Sequence, residues 1–388
     1  MEKLTIKQIN EMLNKEEVVD REHTELSASW AKIWLHCTKA TELVKKFPPY
    51  EEVEDYTLDG TRAHFLAEQI LLGKLSTEQL PNDYLEVADY VERIKEIQKD
   101  GNLLVEVKVN MTELLHSHTP IYGRSDVVVL AKDGGIDICD LKWGKGVVVS
   151  AIKNEQLMLY AIGTLQFLED MGLTDVSSAS LDTRISLHII QPRLDNSYSY
   201  YNTTLGAIKE FTTFVISQIS KIGKHELELC KGDHCQFCKG KVFCPLFHKQ
   251  AESVIPEIKK DLSEIDENKL VELYKHKADV SAFYRALDKY ILANIKLSEN
   301  GEFGGYKTIT KEGAREIVDE NALIKQFTDA GCDKAELQSI SVVGFSVLDK
   351  LAKKYGIAKE DIAGVSKKQT EIIVSSEDKR DDIFKEDK

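Results

Sequence analysis

The tetrapeptide Lys132-Asp133-Gly134-Gly135 constrains the fold of this chain more than any other short segment. It separates two runs rich in apolar and β-branched residues, Ile121 to Leu130 and Gly135 to Trp143, and so reads as the turn of a β-hairpin. With Lys132, Asp133 and Gly134 as a three-residue loop, Ala131 faces Gly135, and the same register sets Asp126 opposite Asp140. Directly opposed residues of an antiparallel pair have Cβ atoms about 5 Å apart. Asp140 and Lys142, two apart on one strand, share a face. Two carboxylates that close repel unless a cation lies between them. A divalent ion such as Mg²⁺ or Mn²⁺ takes oxygen ligands and can activate a water, with Lys142 placed to hold that water or a developing negative charge. The same residues also fit a solvated hairpin of alternating charge. The apolar stretch Val127 to Leu130 beside Gly123-Arg124-Ser125-Asp126 favours a site.

The rest of the chain fits around that hairpin. Residues 24–47 have helical periodicity, with Ser27 or Ser29 as cap and Trp30, Ile33, Trp34 and Cys37 recurring on one face. Helices are expected over 60–74, entered through Gly60-Thr61, and over 82–98. Residues 103–109 predict a strand ahead of the hairpin. A helix over 151–171, a strand over 184–190 and a helix over 204–222 follow it. The order is that of an α/β core behind a helical preface. Gln156 and Tyr160, at i and i+4, share one turn of the helix after the hairpin. Alone they describe an amphipathic helix; behind Asp126 and Asp140-x-Lys142 they add a second polar pair. The expected organisation is a core over 1–250, a long charged helical connector over 251–300, and a small helical or α+β appendage over 301–388 with a frayed tail from Ser375.

The 388 residues carry 51 Lys and Arg against 65 Asp and Glu, a net charge of −14, so no general field draws the chain to nucleic acid or anionic membranes. Any nucleic-acid contact must be local. Lys145 and Lys153 surround the expected metal site with Lys142, and Lys239 and Lys241 lie in a cysteine-rich loop; each is a candidate phosphate contact, though each also fits a solvated surface. No apolar run approaches the ~18 residues of a membrane span, and Met1-Glu2-Lys3-Leu4 opens no signal peptide, so a cytoplasmic protein is expected. No G-x4-G-K-[ST] motif accompanies these residues. Of seven cysteines, Cys230, Cys235, Cys238 and Cys244 fall within one short loop, which in a reducing compartment reads as a metal or cofactor site. Cys230 gives a ferredoxin-like spacing with the other three, Cys37 could close the set from far upstream, and structural zinc would also accept four thiolates.

The ordered set Gly123-x-x-Asp126, Asp140-x-Lys142 and Gln156-x-x-x-Tyr160 resembles the PD-(D/E)XK nuclease superfamily, in its RecB-like branch, over roughly residues 25–250. The resemblance implies a restriction-endonuclease-like core, a mixed sheet flanked by helices. Within Gly60-Thr61-Arg62-Ala63-His64-Phe65-Leu66-Ala67-Glu68 it makes His64 a metal ligand. It makes Glu106 the acidic residue of the first strand, with Glu113 as the neighbour in contention. Iron–sulfur members of that branch, among them AddB-type helicase–nuclease subunits and CRISPR-adaptation nucleases, place one cysteine before the nuclease motifs and C-x2-C-x5-C after them. That implies a [4Fe–4S] staple on Cys37, Cys235, Cys238 and Cys244. The pattern is also similar to phage- and prophage-encoded RecB-like proteins, through Gln191-Pro192-Arg193 and Asp378-Lys379-Arg380 among other segments. It implies a metal-dependent exonuclease that resects duplex DNA ends in the host cytoplasm, alongside a single-strand annealing recombination protein. In that reading Asp126, Asp140, Glu106 and His64 hold the ion, and Lys142, Gln156 and Tyr160 serve the attacking water or the phosphate. A non-catalytic binding or assembly protein on the same fold, and a structure-specific endonuclease, are the competing expectations.

Overall fold

The computed structural model describes residues 3–15, 25–49, 55–195, 197–249, 268, 271, 274–317, 320–333, 345–358 and 361–375. The expected tail beyond Ser375, the Asp378-Lys379-Arg380 segment and nearly all of residues 250–273 lie outside them. The chain divides into two compact units, Met1–Ala286 and Leu287–Lys388.

The first unit is built on five strands: β1 (Asn102–Asn110), β2 (Tyr122–Leu130), β3 (Ile136–Leu141), β4 (Arg184–Gln191) and β5 (Ser197–Thr204). They lie in sequence order across one sheet. The sheet is mixed: β3 and β4 run parallel and the other neighbours antiparallel. The hairpin has the expected register, Val127 against Cys139 and Val128 against Ile138, with Ala131 N–H donating to Gly135 O at 2.9 Å. A parallel pair needs a crossover, and α6 (Glu155–Asp170) supplies it. Asn154 caps α6 by accepting from Leu157 N–H at 3.1 Å.

Helices cover both faces. Residues of α6 and of α7 (Leu205–Gly223) form one core with Val128, Ile138 and Leu187. Residues of α4 (Asp55–Leu71) and α5 (Val87–Gln98) form the other with Val127, Val129, Cys139 and Leu141. Every residue of β3 is buried, as a central strand under helices on both sides requires, and this includes Asp137 and Asp140. Cys139 is fully buried in the second core, on the opposite side of the strand from Asp140's neighbour Ile138.

Four elements differ from expectation. The periodic stretch 24–47 is not one helix. It forms a 3₁₀ turn over Ala28–Trp30, α2 (Ala31–His36) and α3 (Ala40–Lys45), broken where Cys37 takes φ −140° and ψ 86°. Ser27 makes no side-chain cap. Helix α4 begins at Asp55, so Gly60-Thr61 lies inside it and does not open it. Strand β5 and an N-terminal helix, α1 (Ile6–Lys15), are additional elements; Ile9 of α1 is fully buried against the α4–α5 core.

A long helix, α8 (Lys277–Leu297), lies within the expected 251–300 connector, and the division at Ala286/Leu287 falls inside it. The second unit contains β6 (Glu302–Phe303), β7 (Tyr306–Ile317), α9 (Glu320–Asp329), α10 (Phe345–Lys354) and β8 (Val365–Ser375). Its three strands form one antiparallel sheet, and Leu323, Phe327, Cys332, Leu348, Ala352 and Ile362 form its core.

Candidate metal centre

Three expected ligands converge. One ligand atom each from His64, Glu106 and Asp126 lies within 4.8 Å of the other two. Asp126 Oδ1 is 3.3 Å from His64 Nδ1, and its Oδ2 accepts from the Leu141 backbone N–H at 2.7 Å. The partner strand of the hairpin thus fixes the Asp126 carboxylate. Glu113, the neighbour in contention, is exposed in a turn.

Glu106 reaches the site by an irregularity in β1. Its φ is +54°, the left-handed region that non-glycine residues avoid. Pairing on either side keeps one register, Val105 to Val127 and Val107 to Ser125, so no residue is inserted. The face changes instead. Leu104 packs with the same core as Val107 and Val109, although strict alternation would separate them, while both Val105 and Glu106 line the cavity shared with His64, Asp126, Glu68 and Tyr90.

Asp140 lies beside this trio within a second polar group. Its Oδ2 is 2.6 Å from Lys142 Nζ, and its Oδ1 accepts from Gln156 Nε2 at 3.3 Å. Gln156 Oε1 accepts from Lys142 Nζ at 3.0 Å, and Gln156 Nε2 also donates to Tyr160 Oη at 2.9 Å. The orientation of the Gln156 amide follows from its neighbours, since an ammonium must face the carbonyl oxygen and a carboxylate the NH₂. Close packing of α6 makes these contacts possible. A Cβ on Gly163 would lie 2.6 Å from Val109 Cβ, and one on Gly123 would lie 2.7 Å from Tyr160 Cε1. The glycine of Gly123-x-x-Asp126 therefore leaves room for the Tyr160 ring.

The charges are incompletely balanced. Burial, then the Asp126 charge, pushes Glu106 up to about 7. Burial and the Asp126 charge also raise Asp140 against the pull of Lys142. Burial works against the Asp126 carboxylate too, but His64 and the Leu141 N–H hold it below the usual range. Burial would lower His64, and Asp126 more than reverses this and raises it. Arg124 pairs with Glu106 through Nε and lies 3.6 Å from Glu68 Oε2 through Nη2. The Tyr90 hydroxyl is buried in the same cavity without a hydrogen-bond partner.

Glu68, Tyr90 and Arg124 carry no expected role in the sequence. Glu68 lies one turn after His64 on α4, a spacing that could have marked it. Tyr90 sits in an ordinary amphipathic helix and gives no signal.

The cysteine expectation also has a physical location. Cys37, Cys235, Cys238 and Cys244 line one cavity with Cys230, His234 and Lys241. None of the seven cysteines is in a disulfide. Two 3₁₀ turns, Asp233–Phe237 and Lys239–Phe243, carry the loop. Gly240 allows its close approach to α3, since a Cβ there would meet Leu43 Cβ at 2.7 Å. Thr38 Oγ1 accepts from Glu228 N–H at 2.8 Å, and Lys39 N–H donates to Glu228 O at 3.1 Å. Burial, aided by the neighbouring sulfurs, raises the Cys37 and Cys235 thiols and pushes Cys238 up to about 11. The cavity also connects to α6: His36 Nε2 is 2.7 Å from Glu155 Oε1, and the His36 ring stacks on His234 at 5.8 Å.

Lys241 departs from expectation. It is 4% exposed, its Nζ donates to Gln236 O at 3.1 Å, and burial lowers it. It is part of the cysteine cavity wall and not a surface phosphate contact. Lys145, Lys153 and Lys239 are exposed.

Among the described residues, no helix is long and apolar enough to cross a membrane. A family model described as "Protein of unknown function (DUF2800)" matches residues 23–84 and 78–381. Among solved structures, "Crystal structure of SSO0001" is similar at 15% sequence identity and a TM-score of 0.30, covering 62% of this chain and 93% of that one. A likeness at that score carries no argument about function.

Proposed function

The chain belongs to the DUF2800 family, and from its own side chains we propose that it is a metal-dependent deoxyribonuclease with a PD-(D/E)XK core. The observation that carries this reading is the convergence of His64, Glu106 and Asp126 within 4.8 Å, beside Asp140, which is ion-paired with Lys142 and accepts a hydrogen bond from Gln156. Carboxylate oxygens with one imidazole nitrogen suit a hard divalent ion such as Mg²⁺ or Mn²⁺. Two further features support the fit. Burial, with the Asp126 charge, holds Glu106 and Asp140 above the usual carboxylate range despite Arg124 and Lys142, and the buried Tyr90 hydroxyl lacks the partner that a water near an ion would provide.

When bound, the ion supplies Lewis-acid neutralisation of a phosphodiester and activation of the attacking water. The chain's residues do the rest. Asp126 is pre-oriented by the Leu141 N–H, so its carboxylate need not reorganise. Lys142, fixed between Asp140 and Gln156, directs its ammonium at charge developing on the phosphoryl oxygens. Gln156, braced by Tyr160, holds the water and Lys142 in one geometry.

The substrate proposed is linear duplex DNA, resected from its ends, with a single-strand annealing protein taking the exposed strand; this context comes from the resemblance. Cys37, Cys235, Cys238 and Cys244 are proposed to hold a [4Fe–4S] cluster, which ties the upstream helices to the loop. The four thiols line one cavity, and a structural zinc on the same Cys₄ set is the competing occupant.

The test is digestion of end-labelled linear duplex with Mg²⁺ or Mn²⁺, beside Asp126→Ala and Asp140→Ala. Both variants are expected to fold and to lose at least about 10²-fold in rate, as loss of a preorganised charge does elsewhere. Wild-type activity in Asp140→Ala would overturn the assignment. DNA binding by a wild-type chain that cuts nothing would favour the non-catalytic reading.

A further inference from the structure

Residues 142–154 lead from β3, which carries Asp140, to α6, which carries Gln156 and Tyr160. A connection this long without regular structure is ordinarily loose. Here the backbone is fastened. Gln191, 1% exposed, donates through Nε2 to Val147 O at 3.0 Å and accepts from Val149 N–H at 2.7 Å. Ser199 Oγ accepts from Ala151 N–H at 3.0 Å, and Asn154 Nδ2 donates to Ser150 O at 3.0 Å. Val149 packs against the core and Ala151 is fully buried. Trp143 is buried as well, but three apolar residues face solvent: Val147 is 49% exposed, Val148 66% and Ile152 63%. Lys153, at φ +50°, follows Ile152 in a conformation that a non-glycine residue keeps only where its surroundings enforce it.

A fastened loop that holds branched apolar side chains out in water, between exposed Lys145 and Lys153, has a specific complement. The side of a duplex offers phosphates and groove edges. Only its end offers an apolar base-pair face with anionic backbone on both sides. We propose that the 144–153 loop is a duplex-end contact, with Val148 and Ile152 packed on the outer face of the terminal base pair and Lys145 and Lys153 on the adjoining phosphates. This rests on the nuclease reading and adds to it the residues that select an end.

The test compares a linear duplex with the same duplex closed at both ends by hairpins, binding being measured with Ca²⁺ in place of Mg²⁺. Wild-type protein is expected to favour open ends on the order of tenfold, the size of a packing contact with one base. The double variant Val148→Ser, Ile152→Ser should lose that preference while keeping its melting temperature and its Mg²⁺-dependent hydrolysis of bis(p-nitrophenyl) phosphate. Lys145→Ala with Lys153→Ala should flatten the log–log salt slope on the open duplex by about 2. End preference retained in the serine variant overturns the loop proposal alone. So does a change in its oligomeric state with DNA binding intact, which would mark a protein interface. A wild-type chain without metal-dependent hydrolysis overturns the nuclease reading, and the loop proposal with it.

Discussion

Glu106 combines a left-handed backbone, burial and a carboxyl held near neutrality. Its folded pKa of about 7 lies above the ordinary 4.5, so ionising it costs stability. That stability is fully present below pH 4.5 and is lost as pH rises through about 7. The ion-free protein should therefore be less stable at pH 8 than at pH 5, by on the order of 3 kcal/mol from this group. Mg²⁺ or Mn²⁺ should restore the difference, because the ion binds the charged form. Urea melts in EDTA and in Mg²⁺ at both pH values check this. Glu106→Gln should flatten the pH dependence between 5 and 8, and an unchanged slope in that variant would locate the effect elsewhere. Gly123 gives a second prediction at this scale. Gly123→Ala puts a methyl against the Tyr160 ring, so it should cost about 1–3 kcal/mol and slow turnover through Gln156. Wild-type stability and rate would show that the ring can give way.

Elements differ in how far their sequence reveals them. The hairpin register was readable because turn length and alternation fix it together, and Asp126 opposite Asp140 followed. Helix α6 was readable through its periodicity, although it begins at Glu155 and not at residue 151. Strand β5 was not: Ser-Tyr-Ser-Tyr-Tyr-Asn-Thr-Thr is an edge strand without a clear apolar face. The break at Cys37 was hidden as well, because Trp30, Ile33, Trp34 and Cys37 keep helical spacing while the backbone turns. Burial of Lys241 could not be read either, since a lysine in a basic loop looks solvated. The break at Cys37 has a measurable outcome. Cys37→Ser should remove the iron and the yellow-brown absorption of anaerobically purified protein as fully as Cys238→Ser does. Cys230→Ser should keep both, since Cys230 is exposed while Cys37 and Cys244 are buried. One zinc per chain without iron would overturn the cluster.

At the scale of the molecule, an acidic chain of net charge −14 must approach a polyanion through few contacts. Removing the divalent ion should weaken DNA binding, because Glu106, Asp126 and Asp140 then face phosphate with less compensation. A binding titration in EDTA against Ca²⁺ checks this, and equal affinities would separate DNA binding from the metal centre. The thiols that line the cysteine cavity come from opposite ends of the core: Cys37 precedes the sheet, and Cys235, Cys238 and Cys244 follow it. A covalent tie between them would close a loop of about 200 residues, worth about 5 kcal/mol by chain entropy. It also imposes an order on biosynthesis. While the chain emerges from the ribosome, Ala31, Trp34 and Leu35 of α2 can pack into the sheet core before the loop around Cys244 is made. The proposed cluster would then load last, onto a sheet whose carboxylates are already in place.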